Sequence, residues 1–318
     1  MLIFALDAGN RGFAEALARD LDTVLSPHED RRFEDGEAKL RPLVDPRGSD
    51  AYVVHGLHGG PDDSPHDKLA RLLMFIATLR EHGARRVTAV VPYLAYARKD
   101  RQTKPFDPVS QRCVAQLIEA VGTAQIIVLE VHNPAAFQNA FRIPTIHLDA
   151  RHALDAAVDA TVGQGPLVIA SPDTGGAKRA QLWREDLEAR LERPVGFAMV
   201  DKRRSAGLVS GTPIVAGDVT GATVLLFDDL VATGETLQRA ALALRAAGAR
   251  SVVACAAHGL FVGTAGHRLI DGAIDQVFVT DSVPAFRLPE EARAMVTTVS
   301  CTPLFARAIR DSHASWGR

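Results

Sequence analysis

The sequence is poor in lysine, cysteine and aromatic residues. Among 318 residues, aromatic residues make up 6%, and only six of the 36 basic residues are lysine. Three cysteines, Cys113, Cys255 and Cys301, are scattered without the spacing of metal ligands. An odd number of cysteines without a disulfide framework fits a reducing compartment, so we expect a cytoplasmic protein.

Long apolar runs and strong net charge are also missing. No run reaches the length of a membrane span, and the N-terminal residues lack the basic start and long apolar stretch of a signal peptide. The net charge of −2 at pH 7 gives no reason to expect a nucleic-acid or membrane partner. The absence of G-x-x-x-x-G-K-[ST], G-x-G-x-x-G and G-x-S-x-G patterns excludes a P-loop, a dinucleotide fingerprint and a nucleophile elbow.

What the sequence does contain is a repeated alternation of short apolar runs and helix-like stretches. The runs are continuous rather than alternating, which predicts strands buried on both faces. They begin at residues 2, 51, 87, 125, 166, 196, 223, 251 and 276. Strand–helix alternation of this kind predicts an α/β fold with parallel central sheets.

The length of the chain suits two domains better than one. The two halves look like weak duplicates, each near the size of a typical domain, and their seam lies near residues 149–156. We therefore predict domains over residues 1–150 and 151–299.

Polar motifs follow six of the predicted strands. Open parallel sheets bind ligands beyond the carboxyl ends of their strands, so together these motifs predict a ligand site. They are YARKDR (96–101), EVHN (130–133), SPDTGG (171–176), DKRR (201–204), FDDLVATGET (227–236) and VTDSVP (279–284).

The motif FDDLVATGET joins two carboxylates to a turn that suits an anion. The backbone donors of residues 232–236, with the hydroxyls of Thr233 and Thr236, can cradle a phosphate. Asp228 and Asp229 would repel a phosphate but accept hydrogen bonds from vicinal hydroxyls, so a sugar phosphate fits both ends. The alternative is a capping turn with acids at a helix N-terminus.

The other motifs supply cations and possible metal ligands. Asp173 can accept a hydroxyl proton or bind a metal, although a plain capping acid is the better interpretation of that motif alone. Arg98, Lys99 and Arg101 can grip phosphates, against the alternative of a solvated basic turn. His132 fits beside Mg²⁺-bound phosphates, although imidazole is not the preferred partner of magnesium.

Lys202 and Arg204 lie on a polar, glycine-containing loop over residues 201–213. Two cations on such a loop suit the neutralisation of charge that develops in a transition state. Removing one electrostatic donor of that kind costs ~10²–10³-fold in rate.

In this order, the motifs resemble those of the ribose-phosphate diphosphokinase (phosphoribosyl pyrophosphate synthetase) family. The resemblance runs from FEDGE and PRGSDAYVV, through the six motifs above with GDVTG and AHGLFVGTA, to LFARAIR. It therefore covers nearly the whole chain. It implies two duplicated phosphoribosyltransferase-type domains, of which the first binds ATP and the second binds ribose 5-phosphate. It also implies that the last strand and helix, including the tail 300–318, return to the first domain.

The resemblance also implies an activity. Family members transfer the β,γ-diphosphoryl group of ATP to the anomeric hydroxyl of ribose 5-phosphate, with Mg²⁺, and release AMP. It further implies a homo-oligomer built from dimers, up to a hexamer, in which a neighbouring subunit contributes adenine contacts.

Residue roles follow from the same resemblance. Phe33, Asp35 and Glu37 would hold adenine, and Arg98, Lys99, Arg101 and His132 would line the ATP site. His132 and Asp173 would bind the Mg²⁺–ATP unit, and Lys202 and Arg204 would be catalytic. Ribose 5-phosphate would be bound by Asp173, Asp228, Asp229, Thr233, Gly234 and Thr236.

Several positions depart from the family pattern. Ala232 replaces the usual Asp and removes one hydroxyl acceptor, and Glu235 replaces Gly and adds a charge beside the predicted phosphate. Lys99 stands where Gln is commoner, and Glu130 where Asp is commoner. The acid-rich loop over residues 55–68 is also unlike the family.

Two other functions compete with this interpretation. A phosphoribosyltransferase would have a similar FDDLVATGET turn, but such enzymes usually have one domain and lack the paired basic motifs. A non-catalytic regulatory paralogue of the synthetase would be expected to lose catalytic positions, and here these are present.

Overall fold

A computed structural model describes residues 1–6, 8–201, 204–205, 208–209 and 213–316. The chain divides into two compact units. Unit 1 comprises Met1–Asp149, Ser282–Pro284 and Cys301–Arg318, and unit 2 comprises Ala150–Asp281 and Ala285–Ser300. Each unit is built around its own sheet.

The strands of the two units are as follows. Unit 1 contains β1 (Leu2–Ala5), β2 (His28–Arg32), β3 (Ala38–Pro42), β4 (Asp50–Val54), β5 (Arg86–Val91), β6 (Gln125–Leu129) and β7 (Thr145–Leu148). Unit 2 contains β8 (Leu167–Ser171), β9 (Gly196–Asp201), β10 (Arg204–Ser205), β11 (Leu208–Val209), β12 (Ile214–Ala216), β13 (Thr223–Val231), β14 (Ser251–Gly259), β15 (Gln276–Thr280) and β16 (Val296–Val299).

The helices are named in the same way. Unit 1 contains a 3-10 turn (Ala8–Asn10), α1 (Arg11–Asp20), α2 (Pro65–Glu81), α3 (Ser110–Ala120), α4 (Pro134–Ala140) and α10 (Thr302–Trp316). Unit 2 contains α5 (Arg151–Asp159), α6 (Ala177–Leu191), α7 (Glu235–Ala246), α8 (Ala265–Leu269) and α9 (Glu290–Arg293). None of the helices within the described residues combines the length and apolarity needed to span a membrane.

The sheet of unit 1 has five parallel strands in the order β1-β4-β5-β6-β7. All five residues of β4 and of β6 are buried, because helices cover both faces of a parallel sheet. The carboxyl ends of β5 and β6 therefore lead into neighbouring loops at one edge. These loops contain the YARKDR and EVHN motifs.

Unit 1 also contains a separate antiparallel hairpin. Within the part of the chain that the structure describes, strands β2 and β3 pair only with each other, from His28 opposite Pro42 to Arg32 opposite Ala38. Their residues are mostly charged, so nothing in the apolar pattern predicts them. The FEDGE motif forms the tip of this hairpin.

The C-terminal helix α10 packs in unit 1. The Thr302 hydroxyl donates to Asp20 Oδ2 at 2.6 Å, and the ring of Phe305 meets that of Phe13 edge-on at 5.5 Å. The last strand does not accompany it, because β16 pairs in parallel with β15 of unit 2. The expectation that the last strand returns with the helix is therefore wrong.

The sheet of unit 2 has seven strands in the order β12-β9-β8-β13-β14-β15-β16. All neighbours are parallel except β12, which runs antiparallel to β9. The stretch 201–213, expected to be a loop, contains the short antiparallel pair β10–β11. Since β8 and β13 are adjacent and parallel, the turns that follow them lie side by side at one edge.

Candidate active site

The first group of candidate residues lies in the loop between β5 and α3, residues 92–109. Arg98 and Arg101 are exposed, and among the described residues neither has a hydrogen-bond or ion-pair partner. Lys99 differs, because its Nζ donates to Asp107 Oδ2 at 2.5 Å and to the Thr103 hydroxyl at 3.2 Å. The loop therefore presents two arginines while its lysine is paired internally.

Asp107 organises this loop. The same carboxylate oxygen also accepts from the backbone amides of Thr103 and Lys104, each at 3.0 Å. The hydrogen bonds from Lys99 and Thr103 hold the pKa of Asp107 far below its usual range. No sequence pattern singled out Asp107, since its role depends on closure of the loop.

The EVHN motif lies next to this basic loop. The Asn133 amide donates to Asp100 Oδ2 at 2.6 Å, and its oxygen caps α4 by accepting from the Ala136 amide at 3.1 Å. His132 is exposed directly before that cap. Unit 1 thus brings His132 together with the loop of Arg98 and Arg101.

Phe33, Asp35 and Glu37 lie at the hairpin tip. The tip is closed by a bond from the Phe33 amide to the Glu37 carbonyl at 2.8 Å, and by one from the Glu37 amide to Asp35 Oδ1 at 3.0 Å. The Arg31 guanidinium lies 4.6 Å from the centroid of the Phe33 ring. All three predicted side chains are exposed, so the tip can meet a ligand or a second subunit.

In unit 2, Asp173 occupies the turn between β8 and α6. Its Oδ1 accepts from the amides of Gly175 at 3.0 Å and Gly176 at 3.2 Å. Gly176 is needed there because a Cβ would lie 2.8 Å from the Ser171 hydroxyl, which donates to the Asp173 carbonyl at 2.6 Å. One oxygen of Asp173 therefore binds amides of the turn itself and does not cap α6, whose N-cap is Gly176 without a side-chain cap.

Asp228 and Asp229 lie within β13, which continues two residues beyond them to Val231. The preceding Phe227 is buried against Trp183, with ring centroids 4.6 Å apart. The Asp229 amide donates to Asp228 Oδ1 at 2.9 Å. Burial and the neighbouring Asp229 carboxylate raise the pKa of Asp228 well above its usual range, and the positive charge of Arg179 partly opposes them.

The turn between β13 and α7 leaves its amides open. Gly234, with φ of +74°, is the N-cap of α7 and no side chain caps the helix. Within the described residues, the backbone N–H groups of residues 233–236 donate to no protein acceptor. Oriented N–H groups at the start of a twelve-residue helix favour an anion.

Glu235 is held away from these amides by two arginines. Its carboxylate pairs with Arg239 on the same helix and lies 3.6 Å from Arg268 Nη1 on α8. Neither arginine was predicted, and Arg268 is too far along the chain from Glu235 for a local pattern to connect them. The extra charge of Glu235 is thus neutralised beside the turn.

The loop after β14 supports the same turn. The Phe261 and Val262 amides donate to the carbonyls of Val231 at 3.0 Å and Ala232 at 2.9 Å. Phe261 is buried and fills the space beside Gly259, where a Cβ would lie 2.4 Å from its ring. This loop belongs to the AHGLFVGTA block of the sequence.

The structure describes one of the two predicted catalytic cations, Arg204, and not the other, Lys202. Lys202 lies outside the described residues. Arg204 lies on β10, where it pairs with Val209 of β11. His132 belongs to unit 1 and Asp173 to unit 2.

Comparisons with known proteins agree with this arrangement. A family model described as the N-terminal domain of ribose phosphate pyrophosphokinase matches residues 1–122, and one described as a phosphoribosyl synthetase-associated domain matches residues 208–316. A ribose-phosphate pyrophosphokinase of Brucella melitensis is 36% identical over 301 residues, covering 94% of this chain and 93% of that protein. The chain belongs to the ribose-phosphate pyrophosphokinase family. A second relative of the same name, from Aquifex aeolicus, is 35% identical over 302 residues, covering 95% of this chain and 92% of that protein.

A solved structure of the ribose-phosphate pyrophosphokinase family has the same fold. The crystal structure of phosphoribosylpyrophosphate synthetase from Mycobacterium smegmatis matches with a TM-score of 0.87 at 31% identity, over 99% of each chain. The predicted α/β fold with two phosphoribosyltransferase-type domains is confirmed. The predicted enzyme, a ribose-phosphate diphosphokinase, is confirmed as well.

Proposed function

We propose that ribose 5-phosphate, the acceptor of this family's reaction, binds at the β13–α7 turn and the strand before it. The open amides of residues 233–236, with Thr233, Gly234 and Thr236, would hold the 5-phosphate. Asp228 and Asp229 would accept hydrogen bonds from the ring hydroxyls. This single element offers both halves of a sugar-phosphate site, and that observation carries the proposal.

The nucleotide would bind in unit 1. Arg98 and Arg101 are exposed cations without a protein partner among the described residues, so they suit the phosphates of ATP. His132 lies beside these arginines. Lys99 would not contact the phosphates but would hold the loop in place, because its Nζ already donates to Asp107. Phe33, Asp35 and Glu37 would hold adenine in a neighbouring subunit, which makes a homo-oligomer built from dimers, up to a hexamer, part of the proposal.

The divalent cation would be Mg²⁺. Among the described residues no cluster of three or more His, Cys, Asp or Glu side chains offers a ready-made metal cage. Magnesium keeps several waters and binds through one or two carboxylates together with substrate phosphates, so it needs only one or two protein ligands. Asp173 would contribute a carboxylate oxygen and His132 would lie near the phosphates; the ion, when bound, would neutralise charge on the transferred group.

The reaction would proceed by displacement at the β-phosphorus of ATP. The anomeric hydroxyl oxygen forms a bond to that phosphorus, the bond to the bridging oxygen of the α-phosphate breaks, and AMP leaves. The hydroxyl loses its proton. Lys202 and Arg204 would stabilise the negative charge that develops on the transferred oxygens, the kind of contribution that accounts for ~10²–10³-fold in rate.

The deciding experiment measures AMP formed from ATP with and without ribose 5-phosphate, together with phosphoribosyl pyrophosphate. We expect both products in equal amounts only when both substrates and Mg²⁺ are present. In Lys202→Ala we expect turnover to fall ~10²–10³-fold with little change in ribose 5-phosphate binding.

Other outcomes would favour the competing functions. Binding of ribose 5-phosphate without AMP formation would favour a phosphoribosyltransferase, which consumes phosphoribosyl pyrophosphate. Inactivity alone together with co-purification of an active synthetase would favour a regulatory paralogue. Near-normal turnover of Lys202→Ala would remove Lys202 from the mechanism.

A further inference from the structure

The β2–β3 hairpin has little apolar contact along β2. In its two strands only Leu40 is buried, and Ala38 packs beside the same core. From β2, the His28 ring reaches the core, with its centroid 5.6 Å from that of Phe75. Beyond His28, the residues of β2 leading to the FEDGE tip are charged, so ion pairs must fix that part.

A four-residue ion cluster provides this connection. Arg71 of α2 pairs with Asp30 of β2, and its Nη1 lies 3.3 Å from Asp63 Oδ2 in the acid-rich loop. Arg32, two residues beyond Asp30, also pairs with Asp63. The cluster therefore joins the hairpin to α2 and to the loop of residues 55–68 that the family pattern leaves unexplained.

Arg71 is the centre of this cluster. Its Nη2 lies 3.4 Å from the Leu6 carbonyl, just after β1, so one guanidinium meets three separate segments. The side chains of Arg71 and Asp63 are only 13% and 14% exposed. Charged hydrogen bonds that are mostly shielded from water are stronger and less screened than surface pairs, and the planar guanidinium presents its donors in a fixed fork, which an ammonium does not.

We propose that Arg71 is a positioning residue that fixes the nucleotide-binding tip of the hairpin by bridging Asp30 and Asp63. The inference rests on the proposed function, in which Phe33, Asp35 and Glu37 contact adenine. Arg71 itself touches no substrate. It reduces the number of orientations of the tip, so the adenine site is formed before ATP arrives.

The test compares Arg71→Gln, Arg71→Lys and the wild-type full-length protein in two measurements. Hydrogen exchange of His28–Pro42 amides reports the hairpin, with exchange of β4 as an internal reference for unit 1. Steady-state kinetics report KM for ATP, KM for ribose 5-phosphate and kcat. Arg41→Gln is the matched control, because Arg41 pairs with Glu29 inside the hairpin and links it to no other segment in the described part of the chain.

In Arg71→Gln we expect faster exchange of the hairpin than of β4, and a KM for ATP raised about tenfold, since a lost charged hydrogen bond of this kind has roughly that effect. We expect kcat and KM for ribose 5-phosphate to stay within about twofold, and Arg71→Lys to be intermediate. Arg41→Gln should resemble the wild type.

The outcomes separate this inference from the proposed function. Unchanged hairpin exchange in Arg71→Gln would overturn the positioning role. Faster hairpin exchange with an unchanged KM for ATP would support the positioning role and overturn the assignment of the tip to adenine. An equal rise of both KM values, with faster exchange of β4, would show a general loss of structure and overturn the inference.

Discussion

Two turns of unit 2 stand side by side, and they treat their backbone amides in opposite ways. The β8–α6 turn supplies its own anion, because Asp173 Oδ1 accepts from the amides of Gly175 and Gly176. The β13–α7 turn has no such side chain, and its helix begins at Gly234 with open amides. Both turns follow adjacent parallel strands and begin a helix, so the strand–turn–helix pattern alone does not separate them.

This difference between the two sets of amides indicates which turn can bind an external anion. A carboxylate that already binds turn amides competes with a phosphate for the same donors. Open amides at a helix start gain most from an incoming phosphate. The β13–α7 turn is therefore the better place for the proposed 5-phosphate, whereas Asp173 shapes the neighbouring turn.

The largest expected effect comes from the acid pair of β13. Replacing Asp228 and Asp229 together by Asn should lower kcat/KM for ribose 5-phosphate about a hundredfold, because each carboxyl group loses one acceptor oxygen and the pair loses its negative charge. Asp173→Asn should lower it less than about tenfold, since the amide oxygen can still accept from the turn. Initial rates at low ribose 5-phosphate give kcat/KM for both variants. An equal decrease in kcat/KM in the two variants would contradict the distinction between the two turns.

The second prediction concerns stability rather than activity. Asp173→Ala should lower the free energy of unfolding by about 1 kcal/mol, because the turn amides lose their acceptor. Thr233→Ala in the open turn should change it little, since the exposed hydroxyl of Thr233 bonds to no other described residue. Urea titration followed by the fluorescence of Trp183, which lies on α6, measures both. Equal destabilisation would indicate that the β13–α7 turn also has an internal cap.

The third prediction uses the raised pKa of Asp228. At a pH between the ordinary pKa and the raised pKa, Asp228 is protonated in the folded state and ionised in the unfolded state. The contribution of Asp228 to the free energy of unfolding is therefore complete at low pH and is lost as the pH rises through the raised pKa. Asn cannot ionise. The Tm of Asp228→Asn relative to wild type, without ligand, should therefore increase from about pH 5 to about pH 8.

Asp218 is the matched control, because its pKa is lowered rather than raised. Hydrogen bonds from Thr220 lower the pKa of the exposed Asp218, so Asp218→Asn should show a constant Tm difference over the same range. A constant difference for Asp228→Asn as well would contradict the raised pKa of the acid pair.

The smallest expected effect concerns Glu235. Glu235→Gln removes a negative charge beside the open turn and releases Arg239 and Arg268, so KM for ribose 5-phosphate should fall about twofold at low salt. Glu15→Gln, which breaks the exposed Arg11–Glu15 pair on α1, is the control and should leave KM unchanged. A raised KM in Glu235→Gln would mean that the two arginines need Glu235 to support the turn.

Sequence patterns predict some elements well and miss others for identifiable reasons. The runs that became β4, β6 and β8 are fully buried, and such strands are visible because apolar residues follow one another in most of their length. The β2–β3 hairpin and the edge strand β16 were not predicted. Most residues of the hairpin are charged, and the two middle residues of β16 are exposed threonines, so neither forms a continuous apolar run.

The sequence alone determined the family, the two parallel α/β units and the set of polar motifs at the strand ends. Local chemistry is enough for the strands and the motifs, because buried strands and turn residues are read within a few positions, and the order of the motifs carries the resemblance to the family. Only the tertiary structure decided which charges are already paired: Lys99 with Asp107, Glu235 with Arg268, and Arg71 with both Asp30 and Asp63. The physical reason is that pairing depends on segments that meet only in the folded chain, as Arg71 and Asp30 do across 41 residues.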